Sequence, residues 1–210
     1  MLLLKDIKVN ILDYHGRTAL HYTIKNNASK YVKLLFAHKD INVNIQDKTG
    51  QTPLHLAITL QHYGLVQLLL TREDMEINLE DTEGKTPLHY AIENNDLVCL
   101  KHLLSHKDID INALDKYGRT PVHLAIEESK PKCVEALLTH KDVNIHIKDK
   151  HGRTPLHLAH LLLKAIPAER YFEYRYKYEH IVKIFLKYFQ TKHAIQNIST
   201  LSNAMSENGS

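Results

Sequence analysis

Apolar and polar positions recur along this chain with a period of 34 residues. Each period opens on a polar cluster headed by Asp13, Asp47, Asp81, Asp115 or Asp149 and followed three residues later by Gly. Asp bonds its own nearby backbone and Gly accepts a left-handed φ, so Asp-x-x-Gly predicts a tight turn. Thr-Pro follows, except that Ala19 replaces Pro in the first copy. Thr is a natural N-cap and Pro fits the first helical position, so a helix starts there. Leu54, Ala57 and Ile58 sit at helical spacing and predict a short helix over Leu54–Thr59. After a polar break comes a second helix, such as Leu65–Leu70 or Leu97–Leu104. Its leucine pairs, from Leu34-Leu35 to Leu137-Leu138, supply the core. Alternating segments such as Ile41-Asn42-Val43-Asn44 close each unit and predict a β-like finger leading into the next turn.

A strict period of this kind predicts a solenoid of stacked units, none of which buries its apolar face alone. Thr52-Pro53-Leu54-His55-x-Ala57 after Asp47-x-x-Gly50, with its four counterparts, resembles the ankyrin repeat. The resemblance covers about residues 2–190. It implies an all-α repeat solenoid with β-hairpin-like fingers, five repeats, a partial N-terminal repeat and an enlarged C-terminal helical cap. The period departs from the usual length of about 33 residues. The loop after the second helix reads Lys39-Asp40-Ile41-Asn42-Val43-Asn44, without the family's Gly, so a longer turn is expected in place of a left-handed cap. Leu2 to Asn10 align with Leu104 to Asn112, so the chain opens inside the second helix of a repeat. That start suits either a piece of a longer protein or a short N-terminal cap. In the fifth unit about 14 residues are inserted, near 163–177. Pro167 should break the first helix there, with a second helix over Ala168–Phe189. The tail 191–210 is polar, Ser/Asn-rich and without periodicity, and is expected to be mobile.

Composition narrows the function classes. The chain has 210 residues, 43% hydrophobic and 24% charged, with a net charge of +3. That charge is low for a dedicated nucleic-acid binder. No run approaches the roughly 20 apolar residues that span a bilayer, so no membrane partner is expected. Two cysteines, Cys99 and Cys133, suit a reducing, cytoplasmic setting, and as equivalents in adjacent repeats they should be separate buried thiols. Five of the 16 histidines occupy the signature position, where the resemblance implies a structural role, tying the turn and the neighbouring repeat together through hydrogen bonds. His157 and His160 could share a helix face, yet neither cysteine nor carboxylate is spaced to complete a metal site. No nucleophile–base pair or phosphate-cradling glycine loop stands outside the repeats. No enzyme activity, cofactor or metal is therefore expected.

The resemblance points to the fingers and inner helices as a concave binding surface. The residues that follow each turn Gly are Arg17, Gln51, Lys85, Arg119 and Arg153, a basic ladder, with Tyr14, Lys48 and Tyr117 at the finger tips. The inner helices carry Glu93 and Glu127-Glu128 in the third and fourth units and apolar Leu60 and Leu161 elsewhere. A basic rim around an acidic patch fits a polypeptide bearing both charges, whereas the glutamates would repel phosphate. Residues 171–189 hold eight of the chain's 15 aromatics. Ile181, Phe185 and Leu186 are expected to cover the last repeat. Tyr171, Tyr174 and Tyr178 are expected to form one stripe against Leu161–Leu163, with Tyr171 and Tyr174 also candidates for partner contact. The expectation is a monomeric, non-catalytic protein-interaction module. Two alternatives stand beside it: a targeting portion of a larger enzyme or of a microbial effector delivered to a host cell, and a structural or self-associating spacer.

Overall fold

A computed structural model describes residues 7–166 and 172–207, with side chains through Lys192. Among the described residues ten helices form five packed pairs: α1 (Ala19–Lys25) with α2 (Ser29–Phe36), α3 (Pro53–Thr59) with α4 (Tyr63–Leu70), α5 (Pro87–Glu93) with α6 (Leu97–Leu104), α7 (Pro121–Glu127) with α8 (Pro131–Leu138), and α9 (Pro155–Ala165) with α10 (Phe172–Glu207). The odd-numbered helices pack successively into an inner row; α4, α6, α8 and α10 continue the outer row. Among the described residues the fingers contain no strand. They are turns stacked by one backbone bond per step: Lys48 N–H to His15 O, Thr82 to Thr49, Lys116 to Glu83 and Lys150 to Tyr117. The expected β-hairpin geometry gives way because each finger meets its neighbour at a single residue, too little for a ladder.

The core lies between the rows and repeats with the sequence. Leu20, Leu54 and Leu88 are fully buried, as are Ile24, Ile58 and Ile92. Each such side chain contributes about 2 kcal/mol on leaving water. Cys99 and Cys133 fill the slot that Leu65 holds in the second repeat, and both are buried free thiols. Burial pushes the Cys133 thiol up to about 11, so both cysteines are core residues, poorly disposed to react. The fourteen-residue insertion brings Ile181 and Phe185 into the slots of Cys133 and Leu137, both fully buried. Leu186, expected beside them, is exposed. Tyr178 is buried and donates to the Glu127 carbonyl at 3.3 Å. Tyr174 is exposed, so the expected stripe contributes one packed residue. Tyr171 lies outside the described residues, as does Pro167; α9 ends at Ala165, just before them.

One sequence expectation changes at α10. The described part of the helix begins at Phe172, the expected start at Ala168 lying outside the described residues, and it runs on to Glu207, through the polar tail expected to be mobile. Residues 190–207 contain neither Pro nor Gly. A helix already nucleated by the packed 178–185 segment extends through such a stretch at little cost.

Candidate interaction surface

Three recurring patterns of bonds hold the repeats, two of them running between repeats and the third mostly within each finger. In the first, Thr caps each inner helix and the signature His takes the place of the acidic residue of a capping box. His55 Nδ1 accepts the Thr52 N–H at 3.1 Å, which leaves Nε2 protonated to donate to Lys85 O, 3.1 Å away in the next repeat. His21 reaches Gln51 O and His123 reaches Arg153 O in the same way. The buried His89 Nε2 makes no bond of normal geometry, although the Arg119 carbonyl stands in the equivalent place. Desolvation drives the pKa of His55 and His89 down from 6.5 to about 4. His157 has no following repeat to clamp and is exposed.

The second ladder is of asparagines. Asn10, Asn44, Asn78 and Asn112 each donate Nδ2 to a carbonyl one repeat on, as from Asn112 to Asp142 O at 2.8 Å. Each Oδ1 accepts an N–H two residues further, as from Asn144 at 2.8 Å. His146 occupies the next position of the series, at the end of the regular repeats. These asparagines recur in the sequence at every period, but the alternating pattern around them conceals that they bridge units.

In the third, the turn aspartates hold the fingers. Oδ1 of Asp115 accepts the N–H groups of Tyr117 and Arg119, both at 2.9 Å, and the other four aspartates repeat this pattern. Oδ2 takes a side chain that varies. It is the Tyr22 hydroxyl at Asp13, Arg17 at Asp47, the Tyr90 hydroxyl at Asp81, Arg119 at Asp115 and Arg153 at Asp149. The Tyr22 hydroxyl lowers the Asp13 pKa, and at Asp115 the burial that would raise it is outweighed by Arg119.

The basic ladder is therefore paired with Glu93 and Glu127 of the acidic patch, while Glu128 stays exposed beside them. Lys85 Nζ lies 2.5 Å from Glu93 Oε1; Arg119 and Arg153 converge on Glu127 at 2.5 and 3.2 Å. Lys116 pairs with Glu83. These partly exposed pairs are individually worth about 0–1 kcal/mol, and they leave little free charge on Arg17, Lys85, Arg119 and Arg153 for a partner. Aromatic and apolar groups remain open. Tyr14 is 82% exposed, with Lys48 Nζ 3.9 Å from its ring centroid. Tyr117 is 48% exposed, beside the Arg119 guanidinium. Leu60, Leu161 and Tyr22 are exposed on the inner helices. Tyr22 escaped sequence reasoning, because Leu56 and Leu124 occupy its position in other repeats. Tyr174 stands at the far end, lining a recess with Glu127, Glu128 and Lys130.

Among the described residues, no group of three or more His, Cys, Asp or Glu could hold a metal ion, and no helix is long and apolar enough to cross a membrane. A family model described as ankyrin repeats (3 copies) matches residues 1–81, 39–115, 65–149 and 109–165. A search of curated proteins returns no match. Those matches span most of the sequence and coincide with the stacked helix pairs, so the chain belongs to the ankyrin-repeat family, whose members are in general protein–protein interaction modules.

Proposed function

We propose that this protein is a non-catalytic module that holds a partner polypeptide along its concave face. One observation carries this reading: Tyr14, Tyr22, Leu60 and Tyr117 stay exposed on a face where Lys85, Arg119 and Arg153 are tied to Glu93 and Glu127. Rigid aromatic side chains on a preorganised scaffold are favoured interface anchors. The paired charges around them set which approach is tolerated more than how tightly the partner is held. Tyr14 with Lys48 and Tyr117 with Arg119 form two cation–π anchors at separate finger tips. Tyr174 offers a third contact at the C-terminal end. Because Arg119 and Arg153 also secure the turns through Asp115 and Asp149, reversing their charges would test the fold together with binding. The tyrosines are the cleaner probes.

The test is site-specific photocrosslinking in the native source, with a photoreactive phenylalanine at position 14, 60 or 117 and a control at Lys33 on α2. The concave positions are expected to give a shared protein adduct that Lys33 does not, and Tyr14→Ala with Tyr117→Ala to abolish capture at position 60. Adducts only from Lys33, or equal adducts from all positions, would sink the concave-face reading.

A further inference from the structure

The outer row carries a groove that the concave-face reading leaves unused. One stretch, about 670 Å³, lies between α6 and α8. The next, about 370 Å³, lies between α8 and α10. They meet at Glu135, Thr139 and His140, which line both. Each falls within the roughly 300–1,000 Å³ at which concave sites take up ligand groups. The floor is apolar, from Leu97 and Leu104 at one end to Leu138, Ile184 and Tyr188 at the other. The fifth unit's irregularity shapes the second stretch. Where α8 stops at Leu138, α10 runs past the equivalent Leu186 and supplies Tyr188 and Lys192 as a continuing wall.

The rim has one sign. Lys101, Lys132, Lys141, Lys187 and Lys192 line the two stretches, and Glu135 is the one acid among the lining residues. Among the described residues, Lys101, Lys132, Lys187 and Lys192 form no ion pair. Lys141 lies 3.9 Å from Asp142 with its side chain largely in solvent. This differs from the concave face, where Arg17, Lys85, Lys116, Arg119 and Arg153 are each matched by a carboxylate. Lysines on an outer helix are ordinary; a joined concavity with an apolar floor beneath an unmatched cationic rim is a complement to something.

We propose that this outer groove docks an acidic polypeptide segment of a partner, with leucine- or phenylalanine-class side chains on the floor and carboxylates against the lysines. Charge complementarity selects the acidic class, and the floor selects a peptide over a nucleic acid. A nucleic acid needs aromatic platforms for its bases, and the lining residues supply an aliphatic floor with only the Tyr188 ring and the His140 imidazole. Docking here leaves the inner row open, so the two faces can be occupied together.

The test uses the full chain and a fluorescein-labelled peptide of alternating glutamate and leucine, followed by fluorescence anisotropy. Comparison probes are an all-glutamate peptide, a lysine–leucine peptide and a single-stranded oligonucleotide. The glutamate–leucine peptide is expected to bind saturably. Lys187→Glu with Lys192→Glu is expected to weaken it about tenfold through lost steering and added repulsion. Lys101→Glu with Lys132→Glu, reversing the other stretch, should act in the same direction, and Lys30→Glu on α2 should not. All five lysines are exposed, so the variants should fold, with melting curves as the check; if one pair fails to fold, the other carries the test. Absence of saturable binding, equal binding of the all-glutamate peptide or the oligonucleotide, or indifference to both reversals would overturn the proposal.

Discussion

His21, His55 and His123 are two-ended clamps, and the clamp works only while Nδ1 is unprotonated. His55 accepts from Thr52 at Nδ1 and donates to Lys85 O at Nε2. A second proton on the ring would face a backbone N–H. Burial accordingly lowers the pKa of His55 and His89 from 6.5 to about 4. Between those two values the unfolded chain binds more protons than the folded one. The stabilisation is therefore complete above about pH 6.5 and is lost as pH falls toward about 4, on the order of 3 kcal/mol for each such histidine. The lowered carboxyls of Asp13, Asp47, Asp115 and Asp149 act in a separate window, below their ordinary value of 3.8. Urea midpoints measured from pH 7 to pH 4 should fall throughout that range. His55→Gln keeps a group able to accept and to donate, and should flatten the decline by about 3 kcal/mol. An unchanged slope would show that His55 titrates normally. The clamp was legible in kind: the recurring Thr-Pro-x-His marks a cap, and the family resemblance implies a bond to the neighbouring repeat, but which carbonyl the ring reaches emerges only when the units stack.

At the scale of the helix, the revealing position is the second residue after each of α1, α3, α5 and α7. Asn27, Gln61, Asn95 and Ser129 all have φ between 51° and 56°, in the left-handed region. They close Schellman-type ends: after α3, Gln61 N–H bonds Ile58 O and His62 N–H bonds Ala57 O, both at 2.9 Å. The sequence drew attention to the missing glycine after the outer helix, whereas the left-handed turn lies after the inner one. There asparagine tolerates the conformation, and Gln61 and Ser129 give no local sign of it. A left-handed β-carbon costs roughly 1–2 kcal/mol, partly offset by the unfolded-chain entropy that glycine restores. Gln61→Gly should therefore stabilise the protein by roughly 0.5–1 kcal/mol, and Asn27→Gly should leave it nearly unchanged. Thermal and urea unfolding of the two variants side by side would decide it; a loss of stability in Gln61→Gly would mean that the glutamine side chain does more than occupy the turn. The same limit of local reading explains α10. Composition alone made 191–207 a tail, while its helix follows from a neighbour already held in place.

Across the whole molecule, every ladder joins a repeat only to its neighbours: histidine to the next carbonyl, asparagine to the next loop, finger to finger. Stability in such a stack is close to a sum of unit and nearest-interface contributions. The turn glycines show where the stack ends. A β-carbon at Gly50 would lie 2.7 Å from the Asp81 backbone of the following finger, and at Gly152 it would meet nothing within 4 Å. The end is closed instead by α10, whose Phe185 fills the slot of Leu137 with no exposed surface. Phe185→Ala should remove about 3–5 kcal/mol of packing and cavity energy, concentrated on the α8–α9–α10 edge. Native-state hydrogen exchange is expected to show protection falling first in α8, α9 and α10, with amides of α3 to α6 retaining most of theirs. Leu100→Ala, in the middle of the outer row, should instead lower protection on both sides of α6. If Phe185→Ala lowered protection equally from α1 to α10, the protein would unfold as one cooperative unit, and the nearest-neighbour account of its ladders would be wrong.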